Sequence, residues 1–162
     1  MLEPRLIAEN EWLIAIDKPA GLIVHSDGRT EESSVAEWLL GKWPELRDVG
    51  EPWLSPQGEI VLRPGLVQRL DRTTSGVMIV AKTPEAYTHF KKKFKERRVE
   101  KTYHAFVYGH PADDAGRIVA EIDKGGIPKR WFAKDTTEDD VRAAITDWKV
   151  LTRLSAEEGE AV

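Results

Sequence analysis

Apolar positions in this chain follow three patterns, and each predicts a different element. Two are short unbroken runs, Trp12-Leu13-Ile14-Ala15-Ile16 and Val77-Met78-Ile79-Val80-Ala81. They are too short for helices and are bounded by polar residues, so each predicts a buried strand. After the first, Lys18-Pro19-Ala20-Gly21 predicts a turn, with Leu22-Ile23-Val24 extended beyond it. The second pattern is helical spacing. Ser33 or Ser34 can cap a helix to about Trp43, with Val35, Trp38, Leu39 and Lys42 on one side and Pro44 as its stop. Thr83-Pro84-Glu85 supplies a cap, a first-turn proline and an acid at the positive end of the helix dipole. That helix runs to about Glu96, with Ala86, Phe90 and Phe94 inward and lysines outward. The third pattern is alternation. Val99 to Tyr108 predicts a strand with Lys101, Tyr103, Ala105 and Val107 on one face, and Thr102, His104, Phe106 and Tyr108 on the other. Weaker strands are expected near 117–122 and 143–151, and Ser155 to Val162 reads as a hairpin turn opening a partner strand. Pro44, Gly50, Pro52, Pro56, Gly58 and Pro64 mark the stretch 44–64 as loop or paired turns, and Leu66-Val67 enters the next structured segment.

Composition narrows the class. The 162 residues amount to one domain, 1–162, at 41% hydrophobic and 32% charged. No apolar run approaches the ~20 residues of a membrane helix. The first residues, Met1-Leu2-Glu3-Pro4-Arg5-Leu6, lack the basic-then-apolar order of a secretory signal, so a cytoplasmic location is expected. With no cysteine, disulfides, thiolate metal sites and cysteine nucleophiles are excluded. The net charge of −4 counts mildly against a nucleic-acid partner. Its distribution changes that picture: Lys91 to Lys101 reads KKKFKERRVEK, while acids gather at Glu138-Asp139-Asp140 and in the tail. The plain alternative for the basic run is a solvated helix face.

Several chemistries lack their signatures. There is no GxxxxGK[ST] phosphate loop, and Ser75-Gly76 is not a G-x-S-x-G elbow. His25, His89, His104 and His110 have no metal-ligand spacing, and each reads as a surface or core histidine. Arg69-Leu70-Asp71-Arg72-Thr73-Thr74-Ser75-Gly76 stands apart, a charged connection delivering the chain into its most apolar strand. Loops held at the end of a rigid strand commonly carry catalytic groups. In extended geometry Arg69 and Asp71 point one way and Arg72 the other. A neighbouring guanidinium favours the ionised carboxylate, which can serve as a nucleophile. The competing reading is local: Asp71 forms a turn with Thr73 or Thr74 and only shapes the loop.

The stretch Gly65 to Thr83, GLVQRLDRTTSGVMIVAKT, closely resembles the central motif of the RluA family of pseudouridine synthases, approximately H-R-L-D-x-x-T-S-G followed by an apolar strand and A-K-T. Two more segments agree in order and spacing. Asp17 to His25, DKPAGLIVH, is similar to the family's N-K-P-x-G segment, and Lys101 to Gly109, KTYHAFVYG, to its K-x-Y-x-A-x-V-x-G strand. The similarity runs from about residue 6 to about 153. It implies a mixed α/β (α+β) fold, with a bent, mainly antiparallel sheet and helices outside. It implies an isomerase that converts a uridine of structured ribosomal or transfer RNA to pseudouridine and needs no cofactor or metal. By the same resemblance, Asp71 is the catalytic aspartate, Tyr103 stacks on the target base and assists proton removal, and Arg69 fills the gap left by the flipped nucleotide. Arg72, Thr74 and Lys101 join Arg69 as substrate-binding residues. Flipping is physically required, because the glycosidic bond is inaccessible within a stack.

Gln68 and Asp17 depart from the family's histidine and asparagine. The family's T-G-R-x-H-Q-[IL]-R segment, which carries the basic partner of the aspartate, has no match here. The expectation is therefore an incomplete catalytic domain, a complementary C-terminal polypeptide, or an inactive fragment that binds RNA. A hydrolase pairing Asp71 with Glu100 or Asp17 has no spacing to support it.

Overall fold

The computed structural model describes residues 2–26, 32–56, 58–125, 130–137 and 143–154. The hairpin expected in the tail from Ser155 lies outside them. The chain divides into two compact units, Met1–Thr102 and Tyr103–Val162.

In the first unit the two apolar runs become adjacent strands. β2 (Leu13–Lys18) and β5 (Gly76–Ala81) pair antiparallel, Leu13 opposite Ala81 and Lys18 opposite Gly76. β1 (Arg5–Glu9) pairs on the other side of β2 to complete a three-stranded sheet of order β1-β2-β5. β1 was not anticipated. It is exposed throughout and carries no alternation to read. A turn closes it onto β2: the Asn10 side-chain oxygen accepts from the backbone N–H of Trp12 and of Leu13, both at 2.8 Å. Asp17 faces Arg5 across the pair, and their side chains bond at 3.2 Å, which gives the departure from asparagine a local use.

Ser34, not Ser33, caps α1 (Val35–Lys42), and does so reciprocally. Its hydroxyl accepts from Glu37 N–H at 3.2 Å, and Glu37 accepts from Ser34 N–H at 2.9 Å. The proline-rich stretch is more ordered than expected. It holds a 3₁₀ helix (Pro44–Asp48) and a two-stranded hairpin of β3 (Trp53–Leu54) and β4 (Ile60–Val61). α2 (Pro84–Lys95) starts as predicted, with the Thr83 hydroxyl accepting from Ala86 N–H at 3.2 Å. It buries Ala86 and Tyr87, with Phe90 partly covered against the core. The core gathers Ile14, Ile16, Leu39, Leu46, Met78 and Val80, all fully buried, between this sheet and the helices.

In the second unit β6 (Ala115–Gly125) is central, with β7 (Arg130–Asp135) and β8 (Ala143–Lys149) antiparallel on its two sides. The predicted strands near 117–122 and 143–151 correspond to β6 and β8; β7 was not foreseen. Gly116 makes room for an indole, since a Cβ there would lie 2.9 Å from the Trp148 ring. Arg117 and Asp147 face each other and bond twice, at 2.6 and 2.9 Å.

The fold is therefore the expected mixed α+β type, and every ladder between its named strands is antiparallel. One expectation fails. No strand forms over Val99–Tyr108, which pairs with nothing among the described residues. Alternation specifies which faces a strand would have, but a strand exists only where a neighbour accepts its hydrogen bonds. Phe106 is 94% exposed accordingly.

Candidate active site

The loop that carries Asp71 is the tip of a wide hairpin. Leu66 pairs antiparallel with Val80, so Gly65-Leu66 runs back along the edge of β5 that β2 leaves open. Gly65 makes this approach possible. It adopts a φ of +60°, its N–H donates to Val49 carbonyl at 2.7 Å, and its carbonyl accepts from Ala81 N–H at 2.9 Å. A Cβ there would sit 2.1 Å from the Ala81 carbonyl oxygen. Beyond this pairing, Val67 and Leu70 rest against the core, and the Gln68 side chain donates to the Val77 carbonyl at 3.4 Å. Thr74 N–H donates to the Asp71 carbonyl at 3.1 Å, closing a turn. The turn of the competing reading thus exists, but the backbone of Asp71 makes it. Among the described residues its carboxylate forms no hydrogen bond or ion pair, and Asp71 is exposed.

The residue that anchors this loop is Lys18. In β2 the residues Ile14, Ile16 and Lys18 share the buried face, and the lysine is fully buried. Its ammonium donates to three backbone carbonyls: Leu22 at 2.8 Å, Pro19 at 3.0 Å and Arg72 at 3.3 Å. An ammonium has three donors, so all are used. Gly21 N–H donates to the same Arg72 carbonyl at 2.7 Å. The Lys-Pro-Ala-Gly turn and the Asp71 loop are therefore clamped together beneath the sequence Asp71-Arg72. Burial pushes the Lys18 ammonium below its usual range, and the charge of Asp71 pushes it back up. Parity could have found Lys18 from sequence: it is two positions beyond Ile16 on a buried row, where a lysine needs a reason.

The other candidates divide. Arg72 pairs with Glu32 at 2.6 Å. Arg69 makes no ion pair with Asp71; its charge instead acts on Arg63 and His25. Thr74 is half-buried in the turn. Lys101 is exposed near the end of the first unit, and Tyr103, 60% exposed, opens the second. Asp71, Arg69, Arg72 and Thr74 thus share one loop, whereas Tyr103 belongs to a different unit.

Comparison with known proteins gives the family. The model of the RNA pseudouridylate synthase family matches residues 12–161, and the chain belongs to that family. It is 33% identical over 149 residues to an uncharacterized RNA pseudouridine synthase of Synechocystis, covering 92% of this chain and 43% of that protein. It is 35% identical over 152 residues to the ribosomal large subunit pseudouridine synthase C of Rickettsia bellii, covering 93% and 44%. The fold is similar to that of human RNA pseudouridylate synthase domain containing 4, with a TM-score of 0.54 and 20% identity over 93% of this chain and 54% of that one. These relatives bear out the resemblance to the RluA family. The chain spans less than half the length of the curated relatives named here.

Proposed function

We propose that this chain carries the nucleophile of an RNA pseudouridine synthase, and that Asp71 is that nucleophile. The observation that supports it is the anchoring of the Asp71 loop: an exposed carboxylate with no protein partner among the described residues, on backbone held by Lys18 and Gly21. A carboxylate so placed is free to react with an extruded uridine. The carboxylate attacks and the N-glycosidic bond breaks, its electron pair going to N1; the base turns, carbon 5 joins carbon 1′ of the ribose as the bond to Asp71 breaks and frees the carboxylate, and the carbon-5 proton leaves while N1 takes one up. Arg69 fills the gap in the stack, where a guanidinium can stack on bases and bind phosphate together. Arg72, Thr74 and Lys101 hold the flanking nucleotides. Tyr103 covers the flipped base and takes part in proton removal. The substrate is a stem-loop of ribosomal or transfer RNA.

Ribosomal and transfer RNA transcripts bearing 5-tritiated uridine test this, since joining through carbon 5 releases the label to water. Release is expected with the native residue and a loss of at least about a thousandfold with Asp71→Asn, with RNA affinity unchanged within about twofold. Undiminished release by Asp71→Asn sinks the assignment.

A second reading is an RNA-binding segment without turnover. It is favoured by the end of α2, where no ion pair engages Lys93 or Lys95 among the described residues. RNA binding unaffected by Asp71→Asn, with no label released by either form, would select it.

A further inference from the structure

Arg72 follows Asp71 directly, and its backbone and side chain are held by different partners. Its carbonyl accepts from Gly21 N–H at 2.7 Å and from the Lys18 ammonium at 3.3 Å, so the backbone is fixed. Its guanidinium reaches elsewhere, Nη1 to Glu32 Oε2 at 2.6 Å. Glu32 is tethered in turn. It stands just ahead of Ser34, the cap of α1. The start of that helix is tied to the chain beyond the Gly21 turn: Val35 N–H donates to the Ile23 carbonyl at 2.9 Å and Ala36 N–H to the Val24 carbonyl at 3.0 Å. Ile23 also bridges Ser34. Both partners of the ion pair are therefore anchored to the same segment, residues 21–24.

The pair is close in geometry and weak in setting. Its distance is that of a charge-assisted hydrogen bond. Both side chains are about half exposed, and an exposed pair shifts an equilibrium by no more than about fivefold. The loop does not depend on it, since Lys18 and Gly21 already hold the Arg72 carbonyl. What the pair does is cover a guanidinium next to a carboxylate, that of Asp71, which has no partner among the described residues. A guanidinium offers a fork of donors that fits a carboxylate or a phosphate alike. A carboxylate bonded there marks a place where an anionic oxygen fits.

We propose that Glu32 is an internal stand-in for an RNA phosphate. It covers Arg72 in the free protein, yields it to a backbone phosphate beside the target nucleotide, and reclaims it as the RNA leaves. One anion replaces another, and no bond is made or broken. Glu32 is thus a positioning residue that acts through Arg72 and makes engagement of that arginine conditional on a phosphate. This rests on the function proposed above, in which Arg72 holds a flanking nucleotide. The exchange costs some affinity and speeds release, because a tethered competitor for Arg72 is always at hand.

A double-mutant cycle on RNA binding tests it. The native chain, Glu32→Gln, Arg72→Gln and the double variant are titrated with a uridine-containing RNA hairpin, and dissociation is followed by stopped flow. With Arg72 in place, Glu32→Gln is expected to tighten binding about three- to fivefold, mainly through slower dissociation. With Arg72→Gln, which itself should weaken binding, the same change is expected to do almost nothing. All four forms should melt alike, since both side chains are at the surface, so a difference in binding is not a difference in folding. Equal tightening in both backgrounds means that Glu32 only repels RNA at a distance, and overturns the exchange. So does an absence of tightening, an Arg72→Gln variant that binds like the native chain, or a native chain that does not bind the hairpin. No arm of the cycle reads turnover: a native chain that shows the coupling but releases no tritium counts against the enzymatic reading only, and tritium release without the coupling counts against the exchange only.

Discussion

At the residue scale, function and stability meet in Lys18, which is fully buried, and His25, which is half-buried. Lys18 is satisfied, with each N–H on a carbonyl of the segments it joins. His25 is not placed to accept a charge. Its Nδ1 lies 3.0 Å from the Ser26 carbonyl, which fixes the proton there in the neutral ring. Its pKa falls below the ordinary 6.5, first through burial and then through Arg63 and Arg69, with the Ser26 hydrogen bond opposing. The unfolded chain therefore binds more protons as pH drops, so this contribution to stability is complete above about 6.5 and is lost as pH falls toward the folded value. Urea unfolding at pH 7.5 and 5.5 checks this: the native protein should lose more stability between the two than His25→Gln does. Gly65 is a second residue-scale determinant. Gly65→Ala meets both a φ of +60° and a carbonyl 2.1 Å from the new Cβ, and should cost on the order of 3 kcal/mol in the same assay.

At the scale of elements, caps and turns were the most legible features. The Thr83 cap of α2 and the first-turn proline follow from residues within four positions of each other, and local hydrogen bonds need no tertiary context. Ser34→Ala removes one half of the reciprocal cap of α1 and should cost about 1 kcal/mol, measured by thermal or urea unfolding. The far end of α2 is less regular. Arg97 takes a φ of +56°, with its N–H on the Phe94 carbonyl and the Arg98 N–H on the Lys93 carbonyl. This is a Schellman end with arginine where glycine is usual. The strands were less legible. β1 has no buried face, and Val99–Tyr108 has a clear alternation yet no partner strand among the described residues. Pairing is a property of two segments, so the pattern of one can neither reveal nor guarantee it.

At the scale of the whole molecule, the buried apolar cluster lies entirely between Ile14 and Tyr87. The second unit has its own ladders, but Ala120 and Ala143 are its only buried hydrophobic residues among those whose burial is described. A three-stranded sheet needs a covered apolar face to be stable by itself. Residues 1–102 alone should therefore unfold cooperatively in urea, whereas 103–162 alone should show no cooperative transition. A cooperative melt from the second fragment would contradict this division of stability.

The sequence by itself determined the family motif around Asp71, the two apolar strands, the start of α2 and, through the family resemblance, the mixed fold class. Each depends on residues close together in the chain or on a long contiguous match. Tertiary structure alone decided what surrounds Asp71. It put Lys18 beneath the loop and Glu32 on Arg72, and it let the charge of Arg69 act on Arg63 and His25, although extended geometry had aimed Arg69 with Asp71. The reason is physical: a charged side chain settles by the field of every group that reaches it, and most of those groups lie tens of residues away in the chain.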